Sequence, residues 1–240
     1  MLPVLVLCGG RGNRLASVTG GELPKALVTV AGRPFIDHQL VSLREMGLRD
    51  IVLAIGIGGD QIRNHVGDGT TLDVRVHYVD DGPHLRGTGG AVRAALAELP
   101  ERFWVTYGDT LITLDASNAE ASFRASSEPA VMTVLHNRDR WGPSNAVVEG
   151  DRVVAYDKDP RPPGAEHIDY GLVGLTRQAF DGHPWAEPFD LAAVLSALAA
   201  DGQLGAAAVS RRFYEIGTPE ALRDTEAFLH GGRNRTTRSS

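Results

Sequence analysis

The stretch from Val4 to Leu15 constrains the fold more than any other part of the chain. Val4-Leu-Val-Leu7 is a short apolar run without charge, and it stops at Cys8-Gly9-Gly10, with Gly12 and Arg14 close behind. A run of this kind bounded by glycine fits a strand buried on both faces, the kind found in helix-covered parallel sheets. The glycines allow a tight turn at the strand end and bring bare backbone N–H groups against a ligand that a Cβ would hold off. One loop later, Leu23-Pro24-Lys25 adds a second cation to Arg14. Two cations beside such a loop point to a polyphosphate.

The same alternation of apolar runs and amphipathic segments continues through the first half, as in βα units. Strands are expected over 4–7, 51–55, 74–79, 103–107 and 132–135. A helix is expected over 34–46, with Pro34 near its start and Gly47 just past its end, and another over 88–99, stopped before Pro100. Residues 146–148 and 153–156 flank the turn Glu149-Gly150-Asp151 and read as a hairpin. A strand over 168–175, a helix over 189–200, a connecting segment over 212–216 and a final helix over 219–229 complete the pattern. The tail 231–240, rich in Gly, Arg, Ser and Thr, is expected to be disordered.

With 240 residues and 42% hydrophobic composition, the chain can bury one large α/β core, and no linker or internal repeat divides it. A net charge of −6 argues against nucleic acid or an anionic membrane as the main partner. The single cysteine, Cys8, excludes an internal disulfide and reads as a small packing residue at a strand end. The N-terminus lacks a basic segment, and no stretch approaches the roughly 18 apolar residues of a membrane span, so a cytoplasmic protein is expected. The histidines, among them His65, His77, His84 and His136, show no metal-ligand spacing.

Two phosphate-binding patterns fit poorly. A dinucleotide fingerprint needs G-x-G-x-x-G, whereas Gly10-Arg-Gly12 is followed by Asn13-Arg14-Leu15. A P-loop needs a G-K-[S/T] terminus, which is absent. That spacing also argues against a nicotinamide-dependent oxidoreductase. Asp109, after an apolar strand and Gly108, falls at the carboxyl edge where open α/β sheets bind ligands. Gly87-Thr-Gly-Gly-Ala91 opens a helix, so its free N–H groups can meet a ligand, or Thr88 can simply cap the helix.

The order strand, Gly-Gly-x-Gly-x-Arg-Leu, loop, Pro24-Lys25 resembles the signature of sugar-1-phosphate nucleotidyltransferases. Gly87-Thr-Gly-Gly-Ala91, Tyr107-Gly-Asp109, Asp157-Lys158 and Gly217-Thr-Pro219 extend the resemblance in order, over nearly the whole chain. It implies a Rossmann-like three-layer α/β/α fold with a mixed, mostly parallel sheet, in a single domain over 1–230. Residues 1–135 would hold the nucleotide and 136–230 the sugar phosphate. The implied reaction joins an NTP and a sugar 1-phosphate into an NDP-sugar and pyrophosphate, with Mg²⁺ as cofactor. No nucleic acid or membrane takes part, and a homodimer is left open.

By that resemblance, Leu7, Gly9, Gly10, Gly12, Arg14, Lys25, Thr88, Gly89 and Gly108 surround the nucleotide, and Arg14, Lys25, Asp109 and Lys158 are catalytic. Asn145, Asp157, Lys158, Asp169 and Tyr170 would bind the sugar phosphate, with Trp141 near them. Asp109 and Glu215 would hold the metal; relatives carry aspartate at the second position, so the extra methylene of Glu215 alters the reach. The acid before Lys158 is usually glutamate, so Asp157 also departs from the pattern. Among subfamilies the chain is most similar to guanylyltransferases acting on heptose or mannose 1-phosphate, with a cyclitol phosphate as a related option. The other reading is a catalytically inactive, nucleotide-sugar-binding regulatory subunit; retention of Arg14, Lys25, Asp109 and Lys158 argues against it.

Overall fold

The computed structural model describes residues 1–10, 23–82 and 86–236, the last few by their backbone alone. Strand β1 (Val4–Leu7) lies inside the sheet, hydrogen-bonded in parallel to β4 (Asp50–Ile55) on one side and β6 (Arg102–Tyr107) on the other. β5 (Arg75–Asp80) extends the parallel half beyond β4. Past β6 the direction changes, because β11 (His167–Thr176) runs antiparallel to both β6 and β8 (Ala130–His136). β12 (Leu204–Val209) is again parallel to β8, and the hairpin of β9 (Ala146–Glu149) and β10 (Arg152–Tyr156) closes the edge. The nine-stranded order is β5-β4-β1-β6-β11-β8-β12-β10-β9. β5, β4, β1, β6, β8, β12 and β9 share one direction, so the sheet is mixed with a majority of its strands running the same way.

Alternation along β1 sends Val4 and Val6 to one face and Leu5 to the other. Val4 and Val6 pack with helices α1 (Phe35–Glu45), α2 (Gly59–Val66) and α4 (Ala116–Ala125), through Leu40, Ile62 and Phe123. Leu5 packs with α3 (Gly87–Ala95) and α5 (Leu191–Ala200), through Val92 and Leu195. Helices therefore cover both faces, which gives the three layers expected from the buried strand pattern. Two short pairings stand outside the sheet: β2 (Thr29–Val30) with β3 (Arg33–Pro34), and β7 (Thr110–Leu111) with β13 (Tyr214–Glu215).

Three features differ from the sequence reading. The helix expected over 88–99 ends at Ala95 and tightens into a single turn, Leu96–Glu98. α2, α4 and β12 lie outside the expected elements; the Gly-Ala-Ala-Ala core of β12 has low strand propensity and is held by its pairing with β8. The last helix, α6 (Pro219–Thr236), continues past Gly231, so a disordered tail beginning at 231 is not what is found through 236. Glycine within a helix costs about 1 kcal/mol, which weakens a helix without ending it.

Candidate active site

A cavity of about 640 Å³ opens at the carboxyl edge of β1 and β6. Leu7, Gly9 and Gly10 reach it from β1, Tyr107, Gly108 and Asp109 from β6, and Ile168–Gly171 from β11. The ends of β1 and β6 approach closely. The Gly108 N–H donates to the Leu7 carbonyl at 3.0 Å, and a Cβ at Gly108 would lie 2.8 Å from both Cys8 Sγ and Leu7 O. Only glycine fits there. Gln39 of α1 fixes the turn from below, its buried Nε2 donating to the carbonyls of Tyr107 and Thr110, each at 2.7 Å.

That turn presents Asp109, whose Oδ2 forms an ion pair with the Lys25 ammonium. β13 lies alongside, with Glu215 opposite Thr110 and the Ile216 N–H donating to the Asp109 carbonyl at 3.0 Å. A Cβ built on Gly217 would stand 3.6 Å from Lys25 Nζ and from both Glu215 carboxylate oxygens. Lys25, Asp109 and Glu215 thus converge, one cation with two carboxylates. Hard oxygen donors of this kind suit Mg²⁺, which takes one or two protein carboxylates and completes its shell with water and substrate phosphate. Among the described residues no group of three or more His, Cys, Asp or Glu forms a metal cage. Burial, and then the charge of Asp109, pushes the Cys8 thiol up to about 12, so Cys8 is a neutral packing group, as its position suggested.

On the β1 side, Gly9 and Gly10 line the cavity, whereas Gly12 and Arg14 lie outside the described residues. Gly9 faces Asp81, with Oδ2 2.7 Å from where a Cβ on Gly9 would sit. Sequence reasoning did not single out Asp81. It follows β5, is 6% exposed, lines the cavity and, among the described residues, has no hydrogen-bond partner for Oδ1. Burial lifts its carboxyl from the ordinary 3.8 to about 6, against the opposing pull of Arg86.

The glycine run at α3 behaves differently from its expectation. The N–H groups of Gly89 and Gly90 are taken by the Phe189 carbonyl, at 3.0 and 3.3 Å. A Cβ at Gly89 would stand 2.4 Å from the Phe189 ring, and Gly89 does not reach the cavity. Gly89 and Gly90 thus seat the segment 185–190, while Gly87, Thr88 and Ala91 of the same run line the cavity. Glu187 clamps that segment by accepting from Arg86 and Arg93, and Arg93 lies over the Phe189 ring. Thr88 does line the cavity, but its hydroxyl caps α5, accepting from the Leu191 N–H at 2.8 Å and donating to Asp190 at 3.3 Å. The expected cap of its own helix is not formed.

Across the cavity, the register of β11 against β8 shifts between Asp169 and Val173. This bulge carries Gly171 at φ +91° and turns Asp169 toward the cavity. Asp169 is 8% exposed; its Oδ1 accepts from the Gly171 N–H at 2.9 Å and its Oδ2 from the Tyr156 hydroxyl at 3.1 Å. Asn145 lines the cavity and binds the Asp169 N–H through Oδ1 at 2.9 Å. Tyr170 borders the cavity, but its hydroxyl accepts from the Thr113 N–H at 3.2 Å and its ring is core. Asp157 stands outside the cavity lining, and its Oδ1 accepts from the Asp159 N–H at 3.1 Å. Lys158 lines the cavity, its ammonium 4.9 Å from the centre of the Tyr107 ring. Trp141 is packed between Arg140 and Arg212 and stands outside the lining.

Comparison with known proteins gives a consistent family. The model of the MobA-like NTP transferase domain matches residues 4–217. A D-glycero-alpha-D-manno-heptose 1-phosphate guanylyltransferase from Campylobacter jejuni is 26% identical, over 91% of this chain and 96% of its own. An N-acetylmuramate alpha-1-phosphate uridylyltransferase from Neisseria meningitidis is 29% identical, over 94% of this chain and 97% of its own. The crystal structure of HddC from Yersinia pseudotuberculosis complexed with GMP-PN superposes with a TM-score of 0.78 at 25% identity, covering 95% of this chain and 100% of that one.

Proposed function

The chain belongs to the MobA-like NTP transferase family, a sugar-1-phosphate nucleotidyltransferase, and from that premise we propose that it couples GTP to a sugar 1-phosphate of the heptose or mannose type, or to a related cyclitol phosphate. An oxygen of the sugar phosphate attacks the α-phosphorus of the nucleotide in line. One P–O bond forms, the bond to the β-phosphate breaks, and pyrophosphate leaves. Such a reaction calls for positioning and charge neutralisation more than for a protein nucleophile. The observation that carries this reading is the convergence of Lys25, Asp109 and Glu215 at one end of a cavity whose other wall bears Lys158.

Lys25 offsets the charge that grows on the α-phosphate, and Lys158 draws in the attacking phosphate. Mg²⁺ held by Asp109 and Glu215 would neutralise the triphosphate and its leaving group. Gly9 and Gly10 offer backbone N–H groups to the phosphates, while Asn145 and Asp169 face the sugar. Both substrates are small soluble phosphates, in keeping with a cytoplasmic enzyme.

Asp81 supports guanine over uracil as the base. An ionised carboxylate only accepts hydrogen bonds. Guanine offers two adjacent donors, N1–H and N2–H, whereas the N3–H of uracil is flanked by carbonyl oxygens that would face the second carboxylate oxygen. The test is pyrophosphate release from five NTPs against glucose, mannose and heptose 1-phosphates with Mg²⁺. Turnover with GTP and a manno-configured phosphate is expected. Nucleotide binding without turnover for any pair would instead favour the inactive regulatory subunit.

A further inference from the structure

The two lysines of the cavity are held in different ways. Lys25 is bound to a carboxylate, Asp109. Among the described residues no carboxylate pairs with Lys158; its ammonium lies against the face of Tyr107, 4.9 Å from the ring centre. Tyr107 is well fixed for this role. Its carbonyl is held by Gln39 at 2.7 Å, and its buried hydroxyl has no hydrogen-bond partner among the described residues.

We propose that Tyr107 is a positioning residue for Lys158, its ring face parking the ammonium at the cavity wall until a sugar phosphate arrives. The inference rests on the reading of Lys158 as the group that draws in the attacking phosphate. A ring face attracts a cation through its quadrupole but does not neutralise it. An incoming phosphate therefore meets an oriented, uncompensated charge and has no ion pair to break. A carboxylate in the place of Tyr107 would hold the lysine as firmly but compete with the substrate. Tyr107 also precedes Gly108-Asp109, so the turn that presents the metal-side carboxylate orients the sugar-side cation as well.

The test replaces Tyr107 by phenylalanine and by phenylalanines carrying one, two and three ring fluorines, which keep the shape while draining the quadrupole. KM for mannose 1-phosphate and for GTP is measured for each, with Lys158→Ala as reference. Tyr107→Phe, which keeps the ring face, is the parent against which each fluorinated variant is compared. The fluorine series should raise KM for the sugar phosphate stepwise, by roughly 3- to 30-fold overall, with KM for GTP unmoved. A flat series, or an equal rise for both substrates, overturns the role of Tyr107 while Lys158→Ala still raises the sugar phosphate KM. If Lys158→Ala leaves that KM unchanged, the reading of Lys158 fails and the role of Tyr107 falls with it.

Discussion

The half of the molecule that ends in Gly9 and Asp109 differs in construction from the half that ends in Asp169 and Lys158. The first is a run of parallel strands whose carboxyl ends meet so closely that Gly108 tolerates no side chain. The second depends on an antiparallel strand, β11, whose bulge turns Asp169 toward the cavity. In the first the cation is locked to a carboxylate; in the second it rests on an aromatic face. The contrast suits the division of labour proposed for the two walls. One side keeps a fixed charge array for the triphosphate, and the other keeps an uncompensated charge for a substrate whose sugar varies across the family.

The largest effect that would sharpen this contrast is expected from Asp109→Ala. Removing it frees Lys25 from its partner and takes away one carboxylate of the pair, so turnover should fall by about 10³-fold or more. Circular dichroism should stay unchanged. Near-normal activity would mean that the charge array is not the reacting centre.

A second effect separates two glycines that look alike in sequence. Gly89→Ala drives a Cβ to 2.4 Å from the Phe189 ring, whereas a Cβ at Gly10 meets nothing within 4 Å among the described residues. Overpacking of that kind costs about 1–3 kcal/mol. Gly89→Ala should therefore lower the melting temperature by several degrees, while Gly10→Ala should leave it alone and raise KM for the nucleotide. The reverse pattern in denaturation and kinetics would break the assignment of one glycine to packing and the other to the ligand.

Asp81 gives a smaller, pH-dependent effect. Its carboxyl is lifted from 3.8 to about 6, so the folded protein binds that proton more tightly than the unfolded chain. Its contribution to stability is fully present below about pH 4 and is lost as pH rises through about 6. Asp81→Asn should accordingly raise the melting temperature at pH 7.5 but not at pH 4, while weakening GTP. In the wild type, KM for GTP should rise as pH falls below about 6 and the carboxylate is protonated. A stability gain that is equal at both pH values would contradict the buried, ionised carboxylate.

The wall proposed for the nucleotide was largely legible in the sequence, because a buried strand, tight glycines and a lysine after proline impose local demands that few residue types meet. Lys25, Asp109, Gly9 and Gly108 do line one cavity. Asp81 was hidden because nothing local distinguishes it from its neighbour Asp80; its burial against Gly9 comes from the packing of β5 beside β1 across β4. The sealing of the helix start at Gly89 by Phe189 was hidden, since an exposed helix start and one sealed by a distant segment share the same sequence. The sugar wall was less legible. Asp157 and Asp169 are both acids near strand ends, and a bulge in β11, set by pairing with β8, turns Asp169 toward the cavity.

The most direct measurement of the two-walled site is the pair of Michaelis constants in Asp81→Asn and Lys158→Gln, read by pyrophosphate release at pH 7.5. The account expects Asp81→Asn to raise KM for GTP alone and Lys158→Gln to raise KM for the sugar 1-phosphate alone. If both variants raise the constant of the same substrate, the two walls do not divide the substrates, and the account is wrong.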